Sequence, residues 1–178
     1  KSINIFNDKL GKNSIFFSYP FGEYSINFKK IIKSFGFKYA FGQHSGVIDE
    51  TKNFYELPRF PINEKYGELK RFTSITNTLP FKYKNILPEE TYLLDNKNPP
   101  EVKIEFYENI NNLKSVKCYS NEANNWKESE IAFISKNILQ IFIKEKFVGE
   151  RGRINCSLRD RSGFWRWLGI QFVIEEKN

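Results

Sequence analysis

The spacing of apolar residues changes once along this chain, near Pro100, and that change limits the folds open to it. Before it, apolar residues recur at helical spacing between short strand-like runs. After it, they alternate with polar residues. A chain carrying both periods predicts two kinds of structure, helices on a sheet and then sheet on sheet.

The first part reads as strand, helix, strand. Ile15 to Tyr19 is apolar and aromatic, as a buried strand should be. The turn Pro20-Phe21-Gly22-Glu23 breaks it. Ser25 stands where a helix N-cap belongs. Ile26, Phe28, Ile31, Ile32 and Phe35 then recur at helical spacing, and Gly36 fits a helix C′ position. Phe37 to Phe41 is the next strand. Such a βαβ unit predicts a parallel sheet or a β/α barrel. Residues 42–65 are loop-rich, with Gly42, Gly46, Pro58 and Pro61 as punctuation, and Glu68 to Thr76 predicts a further helix. Leu79 to Pro100 carries Pro80, Pro88, Pro99 and Pro100 with little periodicity, which reads as an inter-domain linker.

Beyond Pro100 the period is two. Val102, Ile104 and Phe106 alternate with charged residues, and Val116 and Cys118 with Lys117 and Tyr119. Ile154, Cys156 and Leu158 alternate with Arg153, Asn155 and Ser157. Trp165 to Ile174 forms a long last strand with Arg166, Leu168, Ile170 and Phe172 on one side. Short alternating strands between polar turns predict an antiparallel β-sandwich. No internal repeat is present.

Length and composition exclude several classes. The chain has 178 residues, enough for one ordinary domain or two small ones, and 40% of them are hydrophobic, enough for a packed core. No apolar run reaches the roughly 18 residues a membrane-spanning helix needs. The net charge is +7, from 28 Lys and Arg against 21 Asp and Glu. The basic residues are scattered among acids, as in Glu64-Lys65 and Lys144-Glu145-Lys146, so they read as a solvated surface and not as a nucleic-acid footprint. The sequence starts with Lys and shows no signal-like segment, which reads as a start inside a longer protein.

One segment points to a family. Phe17-Ser18-Tyr19-Pro20-Phe21-Gly22-Glu23-Tyr24 resembles the third signature motif of the polysaccharide deacetylases, the NodB-homology carbohydrate esterases. Ala40-Phe41-Gly42-Gln43-His44-Ser45-Gly46 and Leu57-Pro58-Arg59-Phe60-Pro61 fit one bacterial subgroup in order and spacing. Gly152 to Leu158, Trp165-Arg166-Trp167 and Gln171-Phe172 resemble that subgroup's accessory domain. The resemblance implies an incomplete (β/α) barrel of NodB-homology type (α/β) followed by a small all-β antiparallel sandwich. Residues 1–81 would be the C-terminal portion of the barrel, 82–99 a linker, and 100–178 the accessory domain.

The same resemblance implies a metal-dependent hydrolase that removes N- or O-acetyl groups from carbohydrate. Its divalent metal, usually zinc, is held by motifs that precede the one present here, so no metal ligand and no turnover are expected of this chain alone. Its partners would be an acetylated polysaccharide and the upstream half of its own barrel, in a periplasmic, cell-envelope or secreted setting. Phe21 would supply a backbone N–H to the oxyanion. Pro20 would stiffen that turn, Gly22 would permit its backbone path, and Tyr19 would line the substrate cleft, as would His44 unless it serves as a general acid or is a loop histidine with no role. The family's base-orienting Arg aligns with Ser18, which cannot form a bidentate ion pair. Arg59 is the candidate replacement, unless it makes only a surface ion pair.

Three further readings come from the residues themselves. His44 is the only histidine, and one imidazole cannot build a two-histidine metal site. Cys118 and Cys156 share the phase of core residues, so they form either a disulfide or two buried thiols. Trp126, Trp165 and Trp167 either stack on sugar rings or cover the sandwich core. The alternative to the enzyme is therefore a non-catalytic carbohydrate-binding or structural module.

Overall fold

A computed structural model of the protein describes residues 1–107 and 110–175. A helix, α1 (Ser2–Leu10), opens it and buries no side chain. Strand β1 (Phe16–Ser18), a single 3-10 turn (Pro20–Gly22), helix α2 (Ile26–Ser34) and strand β2 (Tyr39–Phe41) come next. β1 and β2 pair in parallel, with Phe17 beside Ala40. Ser25 caps α2, its Oγ accepting from the Phe28 amide at 3.1 Å. Tyr19, Tyr24, Ile32, Phe37 and Ala40 form a small core, with Phe17 and Phe28 packed against it. The local βαβ unit is therefore as its spacing predicts.

The expected incomplete (β/α) barrel is not there, and the pairing of the strands corrects it. Parallel pairing of this sheet goes no further than two strands of three residues each and one isolated bridge, Phe41 to Leu57. Helix α3 (Leu69–Thr76) comes after β2, and it buries no residue. The strand after it, β3 (Leu79–Pro80), pairs with the last strand of the chain and not with β2. No barrel wall forms among the described residues. Helical spacing is a local property, whereas the number of strands that close a wall depends on pairings far apart in sequence.

The remaining strands build the bulk of the fold. They are β4 (Tyr83–Leu87), β5 (Tyr92–Leu93), β6 (Val102–Phe106), β7 (Lys117–Ser120), β8 (Lys127–Glu128), β9 (Glu130–Phe133), β10 (Ile138–Phe142), β11 (Arg151–Arg159) and β12 (Trp165–Ile174). One sheet runs β4-β6-β10-β9, and the other β3-β12-β11-β7-β8, with β5 also on β12. Val102, Ile104, Phe106, Leu139 and Ile141 from the first sheet share a core with Ile154, Leu158, Leu168 and Phe172 from the second. Each such side chain contributes about 1.5–3 kcal/mol on full burial. The β-sandwich expected after Pro100 is present and begins earlier than expected.

The stretch 82–99 is no bare linker. It supplies β4 and β5, and Tyr83 and Ile86 lean on the sandwich core. β4 lies at the edge of its sheet, where a following proline costs no ladder hydrogen bond. Its prolines mark strand ends and not an unstructured connection.

Candidate ligand-binding site

The long hairpin β11–β12 has two unlike faces because successive side chains alternate across a strand. Its inner face carries Ile154, Cys156, Leu158, Leu168 and Phe172 into the core. Its outer face pairs Arg153 with Gln171, Asn155 with Gly169, and Ser157 with Trp167. Two loops stand over this outer face. The Ser45 carbonyl accepts from the Gly169 amide at 2.6 Å, and the His44 carbonyl from the Arg59 amide at 3.0 Å. Arg71 of α3 holds the next loop, one guanidinium nitrogen donating to the Pro61 and Tyr66 carbonyls at 3.0 Å each.

Between the hairpin and these loops lies a groove of about 700 Å³. Phe60, Tyr66, Trp126 and Trp167 give it aromatic walls, and Gln43, Asn63, Asn155 and Gln171 give it carboxamides. Arg59, Arg71 and Arg153, with His44 and Ser45, complete the polar lining, which contains no Asp or Glu. The Phe60 ring meets Trp167 edge-on at 5.9 Å between centroids. The Trp167 indole N–H points to Asn155 Oδ1 at 3.5 Å, too long for a strong bond. Gln171 is almost wholly buried, and its amide nitrogen donates to the Phe21 carbonyl at 3.3 Å. Its Oε1 has no partner.

His44 stands between this groove and a smaller cavity of about 320 Å³ behind it. Burial lowers its pKa to about 4, against a backbone hydrogen bond at Glu56 that pulls the other way. The ring is therefore neutral near pH 7. Burial also lowers the pKa of Arg153, as does the neighbouring Arg151.

The Pro20–Gly22 turn sits apart. Phe21 has a left-handed φ of 53° and its ring is exposed, an uncommon backbone state for a bulky residue. The Arg151 guanidinium stands 5.1 Å from that ring. Phe21 lines a second groove with Glu23, Tyr92 and Arg151, away from His44 and Arg59. Gly22 has φ 74°, and a Cβ there would run into Gln43, so glycine is required at this bend. Tyr19 is buried, its hydroxyl donating to the Tyr55 carbonyl at 2.9 Å, and burial raises its pKa. The turn's link to the main groove is thus indirect, the Phe21 carbonyl accepting from Gln171 while Phe21 itself lines the second groove.

Cys118 and Cys156 form a disulfide between β7 and β11. Among the described residues, no three His, Cys, Asp or Glu side chains gather as a metal site, and no helix is long and apolar enough to cross a membrane. Of the tryptophans singled out from the sequence, Trp126 and Trp167 line the groove and Trp165 does not. Sequence reasoning missed Arg153, Asn155 and Gln171. Their signal was the outward phase of two strands, which holds forked donors and an indole where a merely solvated face would hold Lys and Glu.

No family model matches the chain, and no curated protein matches it. Solved structures similar to it include two crystal structures of PcoC from Escherichia coli, one of the selenomethionine protein. They are described as a copper resistance protein and a methionine rich copper resistance protein. Each is 12% identical with a TM-score of 0.37, and covers 53% of this chain and 99% or 97% of PcoC. With the barrel absent and Phe21 apart from His44 and Arg59, the reading as a hydrolase, and as part of a polysaccharide deacetylase in particular, is corrected. The oxyanion role of Phe21 and the base-orienting role of Arg59 lose the reaction they were to serve.

Proposed function

We propose that this protein binds a saccharide polymer and does not cleave it. One observation carries this reading: four aromatic rings and four carboxamides converge on a single groove above β11–β12. A sugar ring presents an apolar C–H face and a rim of hydroxyls. Aromatic side chains take the first, and carboxamides, which both donate and accept, take the second. The polysaccharide expected from the sequence thus becomes a ligand and not a substrate.

Two other features support the reading. The resemblance of Gly152 to Leu158 and Trp165 to Trp167 is to an accessory domain of carbohydrate-active proteins, and these strands form the groove floor. The Cys118–Cys156 disulfide suits an oxidising periplasmic, cell-envelope or secreted setting.

Titration of the protein with soluble neutral and acidic polysaccharides, monitored by tryptophan fluorescence and calorimetry, tests the proposal. Saturable binding without acetate release or shortening of the polymer is expected. Absence of binding to every polymer in the panel overturns it.

A further inference from the structure

We infer that the groove selects a glycan bearing carboxylates, a uronic-acid polymer, an inference that rests on the saccharide-binding reading. Three guanidinium groups line the groove and no carboxylate does. Arg71 is occupied, bonded to two carbonyls and placed 5.2 Å from the Tyr66 ring. Arg59 and Arg153 are different. Among the described residues, neither guanidinium has an ion-pair or hydrogen-bond partner.

Arg151 provides an internal comparison. It lies two residues from Arg153 on the same strand face, and it pairs with Glu23 at 2.5 Å and Glu150 at 2.9 Å. The chain therefore puts acids in contact with one arginine on this face and leaves the next with only the more distant charge of Glu23. A half-buried guanidinium with no counter-charge in contact is costly unless something else provides one. The guanidinium fork matches a carboxylate in two parallel hydrogen bonds, a geometry that an ammonium cannot copy.

A second, independent feature points to a ligand at the same place. Gln171 is 2% exposed, lines the groove opposite Arg153 on β12, and keeps an unpartnered Oε1. Buried acceptors are normally satisfied. A hydroxyl beside the carboxylate of a sugar acid supplies both missing partners, an anion for Arg153 and a donor for Gln171. The flanking Trp167 and Phe60 rings then take the sugar's apolar face.

The test compares one backbone with and without charge. Polygalacturonate and its fully methyl-esterified form are titrated into the full chain at fixed ionic strength, beside a single-stranded oligonucleotide and inorganic polyphosphate. The acid polymer is expected to bind at least about tenfold more tightly than the ester. Arg153→Gln and Arg59→Gln are each expected to remove that preference, while Arg161→Gln, at an exposed position outside the groove, keeps it. Melting curves of each variant confirm folding. Equal affinity for acid and ester overturns the inference and leaves saccharide binding standing. Equal affinity for polyphosphate or the oligonucleotide overturns it in favour of a general polyanion surface, and so does a preference that survives in both arginine variants. Failure of both polygalacturonate forms to bind, while another polymer of the panel binds, overturns the inference alone; the reading it rests on falls only when no polymer binds.

Discussion

Cys118 and Cys156 stand directly opposite one another on β7 and β11, with Cα atoms 4.0 Å apart, and are joined as a disulfide. Both are wholly buried in the sandwich core. The bond closes a loop that carries β8, β9 and β10 and spans a sequence separation of 38. Closing a loop of that length in the unfolded chain stabilises the fold by about 3–4 kcal/mol. Cys118→Ala with Cys156→Ala is therefore expected to lower the urea midpoint by an amount equivalent to that figure. Thiol counting under denaturing, non-reducing conditions is expected to find no free cysteine in the parent protein.

His44 makes stability depend on pH. Unfolded, its imidazole titrates near the ordinary value of 6.5, and folded near 4. Between those values the unfolded chain holds a proton that the folded one does not. Stability from this group is therefore present above pH 6.5 and is lost as pH falls toward 4. The slope approaches about 1.4 kcal/mol per pH unit within the window. Urea unfolding across the window is expected to show this slope in the parent and a flatter profile in His44→Gln. Parallel profiles refute the assignment to His44.

The parts of this fold that were legible in the sequence are those written in neighbouring residues. The helix from Ile26 is set by its own spacing and by Ser25, whose side chain bonds only three residues away. Alternation from Val102 onward placed Ile154, Cys156 and Leu158 inside, which is where they lie. What failed were inferences about distant pairings. A βαβ unit does not say how many strands will come after it. Prolines between 80 and 100 hid β4, whose partner β6 is set by cross-strand register and not by local spacing. The groove was half legible: Trp167 stood out, but Arg153 and Asn155 read as ordinary outward residues. Only the loops that hang over them, tied down at Gly169 and by Arg71, turn that outer face into a wall.

Trp167 and Trp165 separate groove chemistry from surface chemistry. They share one face of β12, two residues apart, yet only Trp167 lines the groove. Loss of a stacking indole costs about 1.5–3 kcal/mol, about tenfold to a hundredfold in affinity. Trp167→Ala is expected to weaken binding of polygalacturonate by that factor, Trp167→Phe to restore part of it, and Trp165→Ala to leave it unchanged. Equal losses from both alanine variants would place the ligand on the exposed strand face instead.

Gly169 is where the loop before Val47 touches the sheet. A Cβ there would stand 2.6 Å from the Ser45 amide nitrogen, 2.8 Å from its carbonyl oxygen and 3.2 Å from Asn155 Oδ1. Two of these are backbone atoms, which cannot swing aside as a side chain can. Relief requires the 43–46 segment to lift from β12, carrying His44 and Gln43 with it. Overpacking of this kind costs about 1–3 kcal/mol. Gly169→Ala is expected to lower the melting temperature and to weaken ligand binding together, because the same displacement opens the groove wall. A variant that melts like the parent but loses binding would show that Gly169 meets the ligand itself, and one that keeps both would show that Ser45 does not approach β12 this closely.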